Sequence, residues 1–239
     1  MRTTRAASRF SRSPEHEVSA LPCDDDVMDN RHETEFPSGF FTRDDESDDT
    51  DFYAFDRFVT HIDDGAIAAV GALYDELGLC GSESGSVLDL CSSWISHFPT
   101  KPARLTVTGM NANELAANDM ADEWQVQDLN IDPALPFEDA SFAAVTCTVS
   151  VDYLTRPLDV FADVSRILQP GGVFVCTFSN RCFPTKAIRG WLANGNHGRV
   201  QIVGRYFELT DGFEAPVAEH RNPGSVGDPL YAVWARTTG

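Results

Sequence analysis

The sequence predicts an α/β fold, a mostly parallel, doubly wound sheet with helices on both faces. Two observations carry the prediction. Between residues 87 and 178 short apolar runs alternate with helical patterns, the order that buries a parallel sheet between helix layers. The first of those runs, Val87 and Leu88 through Leu90, is nearly continuous in apolar character, as a strand covered on both faces must be.

Taken in order, residues 1–14 carry Arg2, Arg5, Arg9 and Arg12 with several Ser and Thr and no acid, the composition of an organellar transit peptide. No amphipathic face accompanies it, so the stretch reads as a basic tail. Residues 15–64 hold 17 acids against Arg31, Arg43 and Arg57, which predicts disorder over most of that span. The expected division is a basic-then-acidic extension over 1–50 and a folded domain over 51–239. That domain divides into a docking segment and helix (51–85), a cofactor-binding core (86–178) and the C-terminal part of the sheet (179–239).

Within the docking segment aromatics return at 52–58, and Ile67, Val70, Leu73, Tyr74 and Leu77 follow at helical spacing until Gly78 ends the helix. The strand at 87–90 is followed by the small-residue turn Cys91-Ser92-Ser93 and a short helical piece up to Pro99. Further strands are expected at 104–109, 124–127, 142–149 and 173–178. Helices are expected at 114–120 and at 157–168, the latter opened by Pro157 in its first turn. Helices near 186–192 and 200–209 and strands near 215–220 and 230–236 complete the chain.

Composition excludes several function classes. The chain has 239 residues, with 37 Asp and Glu against 18 Lys and Arg and a net charge of -19. Such a field repels phosphate backbones, so nucleic-acid binding is not expected. No run approaches the ~18 apolar residues of a membrane span. Asp outnumbers Glu 24 to 13, and Lys101 and Lys186 are the only lysines beside 16 Arg. An Asp-heavy, Lys-poor surface suits a salt-rich cytoplasm, and the chain reads as halophilic and cytoplasmic, with an organelle as the runner-up. The six cysteines lack any Cys-x-x-Cys pair, which argues against a zinc site.

Ligands of open α/β sheets bind at the carboxyl ends of the strands, which places the site around Asp89 and the turn after it. Asp89 is expected either to contact a ligand or to cap the turn. Ser92 and Ser93 serve the ligand or the turn's own backbone, and Trp94 packs or walls a pocket. Asp128 follows a short strand at the expected crevice. His97 is a candidate base beside its ordinary structural role. Asp152 and Tyr153, after the fourth strand, are candidates for contact with the reacting group. Tyr53, Arg57, His61 and Arg181 could frame an acceptor, Arg181 by bidentate pairing to an anion.

The ordered set Asp128, Leu135-Pro136-Phe137-Glu138-Asp139, Ser141-Phe142, Ser165-Arg166-Ile167-Leu168 and Gln169-Pro170-Gly171-Gly172 resembles the class I S-adenosylmethionine-dependent methyltransferases, in particular their type 11 small-molecule group. The resemblance covers roughly 87–236. It implies a Rossmann-like seven-stranded sheet closed by an antiparallel pair and S-adenosylmethionine as cofactor. It also implies transfer of a methyl group to a small-molecule acceptor, with no metal and no membrane or nucleic-acid partner. Asp89 would lie near the cofactor's methionine end and Asp128, with Leu129, near its adenine. The family's glycine loop is replaced by Cys91, Ser93 and Ile95, and its ribose-binding acid by Asn111, which can cap a helix and contact ribose at once. These departures favour, as alternatives, a methyltransferase-like binding protein without catalysis; a nicotinamide-dependent oxidoreductase is a further alternative on a similar fold.

Overall fold

The computed structural model describes residues 34–239. The basic tail and most of the acidic extension lie outside the described residues.

Seven strands form one sheet in the order β3-β2-β1-β4-β5-β7-β6. They are β1 Gly81–Leu90, β2 Pro102–Gly109, β3 Glu123–Val126, β4 Phe142–Thr148, β5 Leu168–Phe178, β6 Val217–His220 and β7 Tyr231–Arg236. Strands β1 to β5 are parallel, and β7 runs antiparallel to both β5 and β6. The predicted fold class and the closing pair are both present. The helices are α1 Asp49–Phe52, α2 Asp64–Glu76, α3 Ala112–Ala116, α4 Pro157–Ile167, α5 Arg189–Leu192 and α6 Asn196–Glu208. Among the described residues no helix is long and apolar enough to cross a membrane.

Successive side chains of the central strands sort into two cores. Leu88, Leu90, Val145, Cys147, Phe174 and Cys176 pack under α4, α5 and α6 through Phe161, Trp191 and Phe207. Val87, Leu105, Val107, Ala144 and Val175 pack under α2 and α3 through Val70, Tyr74 and Leu115. This division is the period-two signature of a strand buried on both faces. Helix α2 starts where Asp63 accepts the Ala66 N–H, and the chain leaves it through Gly78 at φ 76°, a left-handed conformation that glycine takes without strain.

Two expectations are corrected. No helix follows β1: residues 91–100 are irregular, because Ser92 and Ser96 turn back to Asp89 instead of facing solvent along a helix. The folded body also begins before residue 51. Phe36 is buried at 5.7 Å from the Tyr206 ring, and Phe40 and Phe41 pack beside it. The Thr42 carbonyl accepts the Arg189 N–H, and the Asp45 N–H bonds to the Thr185 carbonyl. Residues 36–53 are therefore a strap across the strand ends. Three of the acids that suggested disorder, Asp45, Glu46 and Asp49, pair here with the buried cations Arg43 and Lys186.

Candidate functional site

The carboxyl ends of β1 to β5, roofed by the strap and the chain up to His61, enclose a cavity of about 570 Å³. That volume lies within the roughly 300–1,000 Å³ typical of small-molecule sites. From the strand ends Asp89, Cys91, Ser92, Ser93, Asn111, Asp128 and Leu129 line it. Tyr53, Arg57 and His61 line it from the roof, and His97, Tyr153 and Arg181 from the remaining loops.

Two expected residues are not in this cavity. Asp152 is buried beneath it, 2% exposed, with Oδ2 unpartnered among the described residues. The 3₁₀ turn Val151–Tyr153 sends Tyr153 to the cavity and Asp152 to the core. Burial pushes the Asp152 carboxyl up to about 7. In the unfolded chain its value is 3.8, so the folded state holds the extra proton between those values and loses stability as pH rises through that window. The Asp152→Asn variant, an isostere of the protonated acid, is expected to gain on the wild type from pH 4 to 7, by up to about 4 kcal/mol. Thermal melts of both proteins across that range check it; parallel profiles would contradict it. His97 contributes the opposite slope: burial and neighbouring His61 lower it to about 4, so its share of stability is lost as pH falls below the ordinary 6.5. Comparing variant with wild type cancels that term. Trp94 is the second residue outside: its Nε1 donates to the Val59 carbonyl and its ring meets Phe58, so it pins the roof from a separate groove.

The turn after β1 keeps a glycine-like path without glycine. Cys91 adopts φ 52°, and Val149, after β4, adopts φ 48°. Both line the cavity. A β-branched residue in that region is a true outlier, and such strain concentrates at functional sites. Gly109 supplies the close approach instead, since a Cβ there would collide with the Ser92 carbonyl. Relief at Cys91 is worth about 1–2 kcal/mol against about 0.5–1 lost to glycine's chain entropy. Cys91→Gly is therefore expected to leave the unfolding free energy from urea titration unchanged or slightly raised, whereas a fall above about 1 kcal/mol would mean that the thiol's packing outweighs the strain.

The cavity's acids differ in what remains free on them. Asp89 is 4% exposed and accepts from Thr146 on Oδ1 and from Ser92 and Ser96 on Oδ2, each at 2.7–2.8 Å. Burial raises its carboxyl in spite of these bonds. Asp49 is gripped by Arg43, Lys186 and Asn130. Burial pushes its carboxyl up, but those hydrogen bonds hold it below the usual range. Asp128 uses Oδ1 for the Asn130 N–H, leaving Oδ2 without a partner among the described residues. Glu114, 7% exposed, uses Oε1 for the Arg57 N–H at 2.7 Å and leaves Oε2 likewise free.

Glu114 escaped sequence reasoning because an acid in a helix's first turn is unremarkable there. Asn111, by contrast, is fully committed. Its Oδ1 accepts from Asn113 and Glu114, capping α3, while Nδ2 donates to the Tyr53 carbonyl and to Asp56. In this arrangement the side-chain polar capacity of Asn111, which lines the cavity, goes to the helix and the roof. Two lining residues, Gln127 and Thr108, each hold a side-chain oxygen that is buried away from the cavity without a partner among the described residues.

At the β4–β5 end the walls change character. The Arg57 guanidinium lies 4.6 Å over the Phe52 ring and 5.6 Å from the Tyr53 and Phe183 rings. Phe183 meets His61 at 5.6 Å and Tyr153 at 6.0 Å, and its N–H donates to the Tyr153 hydroxyl. Burial, with help from Arg57, lowers His61, so both imidazoles of the cavity are neutral near pH 7.

Comparison with known proteins agrees with the fold. Residues 88–176 match the family model described as Methyltransferase domain. No curated protein matches the chain. A methyltransferase of Aquifex aeolicus, described as S-adenosylmethionine-dependent, superposes with a TM-score of 0.53 at 13% identity, covering 73% of this chain and 92% of its own. A Pyrococcus horikoshii protein superposes with 0.51 at 17% identity over 79% of this chain and 99% of its own. Geranyl diphosphate C-methyltransferase of Streptomyces coelicolor, solved with Mg²⁺, geranyl diphosphate and S-adenosylhomocysteine, gives 0.50 at 13% identity over 72% and 77%. By its strand order the chain has the fold of these methyltransferases, and its central residues 88–176 match the methyltransferase domain model.

Proposed function

We propose that the protein binds S-adenosylmethionine at the β1–β3 end of the cavity and methylates a small-molecule acceptor at the β4–β5 end. One observation carries the reading: the carboxylates of Glu114 and Asp128, each with one oxygen unbonded among the described residues, stand along one end of a cavity of suitable size. A positively charged nucleoside rich in O–H and N–H donors fits that set of acceptors; a dinucleotide pyrophosphate does not. When bound, S-adenosylmethionine supplies a methyl group activated by its sulfonium.

The remaining tasks fall to the chain. Asp128 and Glu114 accept from the cofactor's hydroxyls and amine, while Leu129 and Met110 offer apolar surface beside them. Asp89, tied to three hydroxyls, fixes the turn of Cys91, Ser92 and Ser93 under the methionine end. The roof of Tyr53 to His61 excludes water, so that acceptor and methyl are held in line. His97 lines the cavity, but burial lowers it to about 4 and closes off its Nδ1, which makes it a weak base for an acceptor that must lose a proton. Tyr153 stays protonated through burial and orients the Phe183 loop. Asp152 acts only beneath this surface. The Asp-heavy, Lys-poor composition supports work in a salt-rich cytoplasm.

Equilibrium dialysis with methyl-tritiated S-adenosylmethionine tests the reading. Retention displaced by S-adenosylhomocysteine and untouched by a nicotinamide dinucleotide is expected. Displacement by the dinucleotide alone would transfer the protein to the oxidoreductases. A cofactor-binding protein without turnover is the second reading, favoured by the commitment of Asn111 to the roof; saturable binding with no product from any acceptor would select it.

A further inference from the structure

The cavity is bipolar. Its acids with a free oxygen, Glu114 and Asp128, sit at the β2 and β3 ends, and Asp89 sits at β1. Asp49, the remaining acid of the lining, is already neutralised by Arg43 and Lys186. The two arginines of the lining, Arg57 and Arg181, belong to the roof and to the loop after β5.

In a chain with 37 acids to 18 bases, arginines ordinarily find carboxylates. The Arg57 guanidinium has none within 4.0 Å among the described residues and bonds only to the Phe52 and Phe55 carbonyls, although the Arg57 N–H donates to Glu114. Arg181 is 65% exposed and reaches Asp228 only at 3.7 Å. A guanidinium without a close ion pair, against aromatic faces and beside a cavity, is available to a ligand. The same end is walled by Tyr153 and Phe183, flat rings that suit a planar body.

We propose that the acceptor is a small planar anion, its carboxylate or phosphate facing Arg57 and Arg181 and its flat body lying against Tyr153 and Phe183. This deepens the methyltransferase reading and rests on it for the placement of the cofactor at the opposite end. Charge complementarity then runs along the whole cavity, a cationic cofactor at the acidic end and an anionic acceptor at the basic one. The protein's net charge of -19 repels anions at long range, so any preference for an anion over its neutral isostere must come from local cations.

The test titrates benzoate, phenyl phosphate and neutral benzamide into protein saturated with S-adenosylhomocysteine, with binding read by ligand-observed NMR. Either anion is expected to bind at least tenfold more tightly than benzamide. The preference should shrink with added salt, and at least fivefold should be lost in Arg57→Gln and in Arg181→Gln. S-adenosylhomocysteine titrated into each variant shows that its fold and far end are intact; Arg181→Gln, at an exposed side chain, guards against a folding failure of Arg57→Gln. Equal binding of benzoate, phenyl phosphate and benzamide, or an anion preference that survives both substitutions, would overturn the proposal. If S-adenosylhomocysteine itself fails to bind, the cofactor reading falls. The same comparison on the free protein then decides the anion preference separately.

Discussion

Replacing Lys186 with methionine is expected to cost about 3–5 kcal/mol of stability, the range for stranding buried charge by removing one partner. The Lys186 side chain is fully buried, with Nζ at 3.1 Å from Asp49, 3.2 Å from Asp45 and 2.7 Å from the Ser47 carbonyl. It is the point at which the strap is fastened to the β5 side of the fold. Without it Asp49, 6% exposed, retains Arg43 and Asn130 but loses its second cation. Against a total stability of about 5–15 kcal/mol for a typical domain, the variant should sit near the unfolding threshold. Urea titration gives the loss, and limited proteolysis shows where it falls: cleavage between residues 36 and 53 ahead of the sheet is expected. A loss below 1 kcal/mol would mean that the aromatic packing of Phe36, Phe40 and Phe41 holds the strap by itself.

The second large effect is on ligand affinity. A hydrogen bond to a charged group contributes about 1.5–3 kcal/mol, so Glu114→Ala and Asp128→Ala are each expected to weaken S-adenosylhomocysteine binding by roughly 10- to 150-fold. Asn111→Ala should behave differently. It removes the cap of α3 and a tether of the roof, costing about 1 kcal/mol of stability for the cap, while leaving both acceptor carboxylates in place. Calorimetry and melting of the three variants separate the roles. Undiminished affinity in Glu114→Ala together with a large loss in Asn111→Ala would return the ribose contact to Asn111.

These contrasts mark how far the sequence could be read. The central strands were legible because burial on both faces leaves an unambiguous apolar record at Val87, Leu88, Val145 and Val175. Asp89 and Asp128 were legible because a strand end defines its own position in the crevice. The strap was hidden by averaging: Asp44, Asp45, Glu46, Asp48 and Asp49 dominate the composition of a segment whose packing is done by Phe36, Phe40 and Phe41. Lys186 carried a signal, since it is one of only two lysines, but its burial and its partners some 140 positions away are named by no local pattern. Asp152 misled because a 3₁₀ turn sends adjacent residues to opposite sides, a difference that no spacing rule registers. Asn111 was read by its residue type, which allows two roles, and only the observed hydrogen bonds show how its capacity is divided.

The cavity also explains why the altered turn is tolerated. Glycine at the Cys91 position would avoid strain, yet the backbone takes the left-handed path regardless, held by the Ser92 N–H on the Thr108 carbonyl at 2.7 Å and by the two serines on Asp89. Close approach is provided from the other side by Gly109. The shape required of the turn is thus kept by bonds to neighbouring strands.

The most direct measurement is calorimetric titration of the wild-type protein, in high potassium chloride, with S-adenosylhomocysteine. Saturable binding at one site per chain is expected, with a negative heat-capacity change as apolar surface is buried against the ligand. No saturable heat from protein shown to be folded by its cooperative melt would contradict it: the methyltransferase fold would stand, and the assignment of this cavity to the cofactor would not.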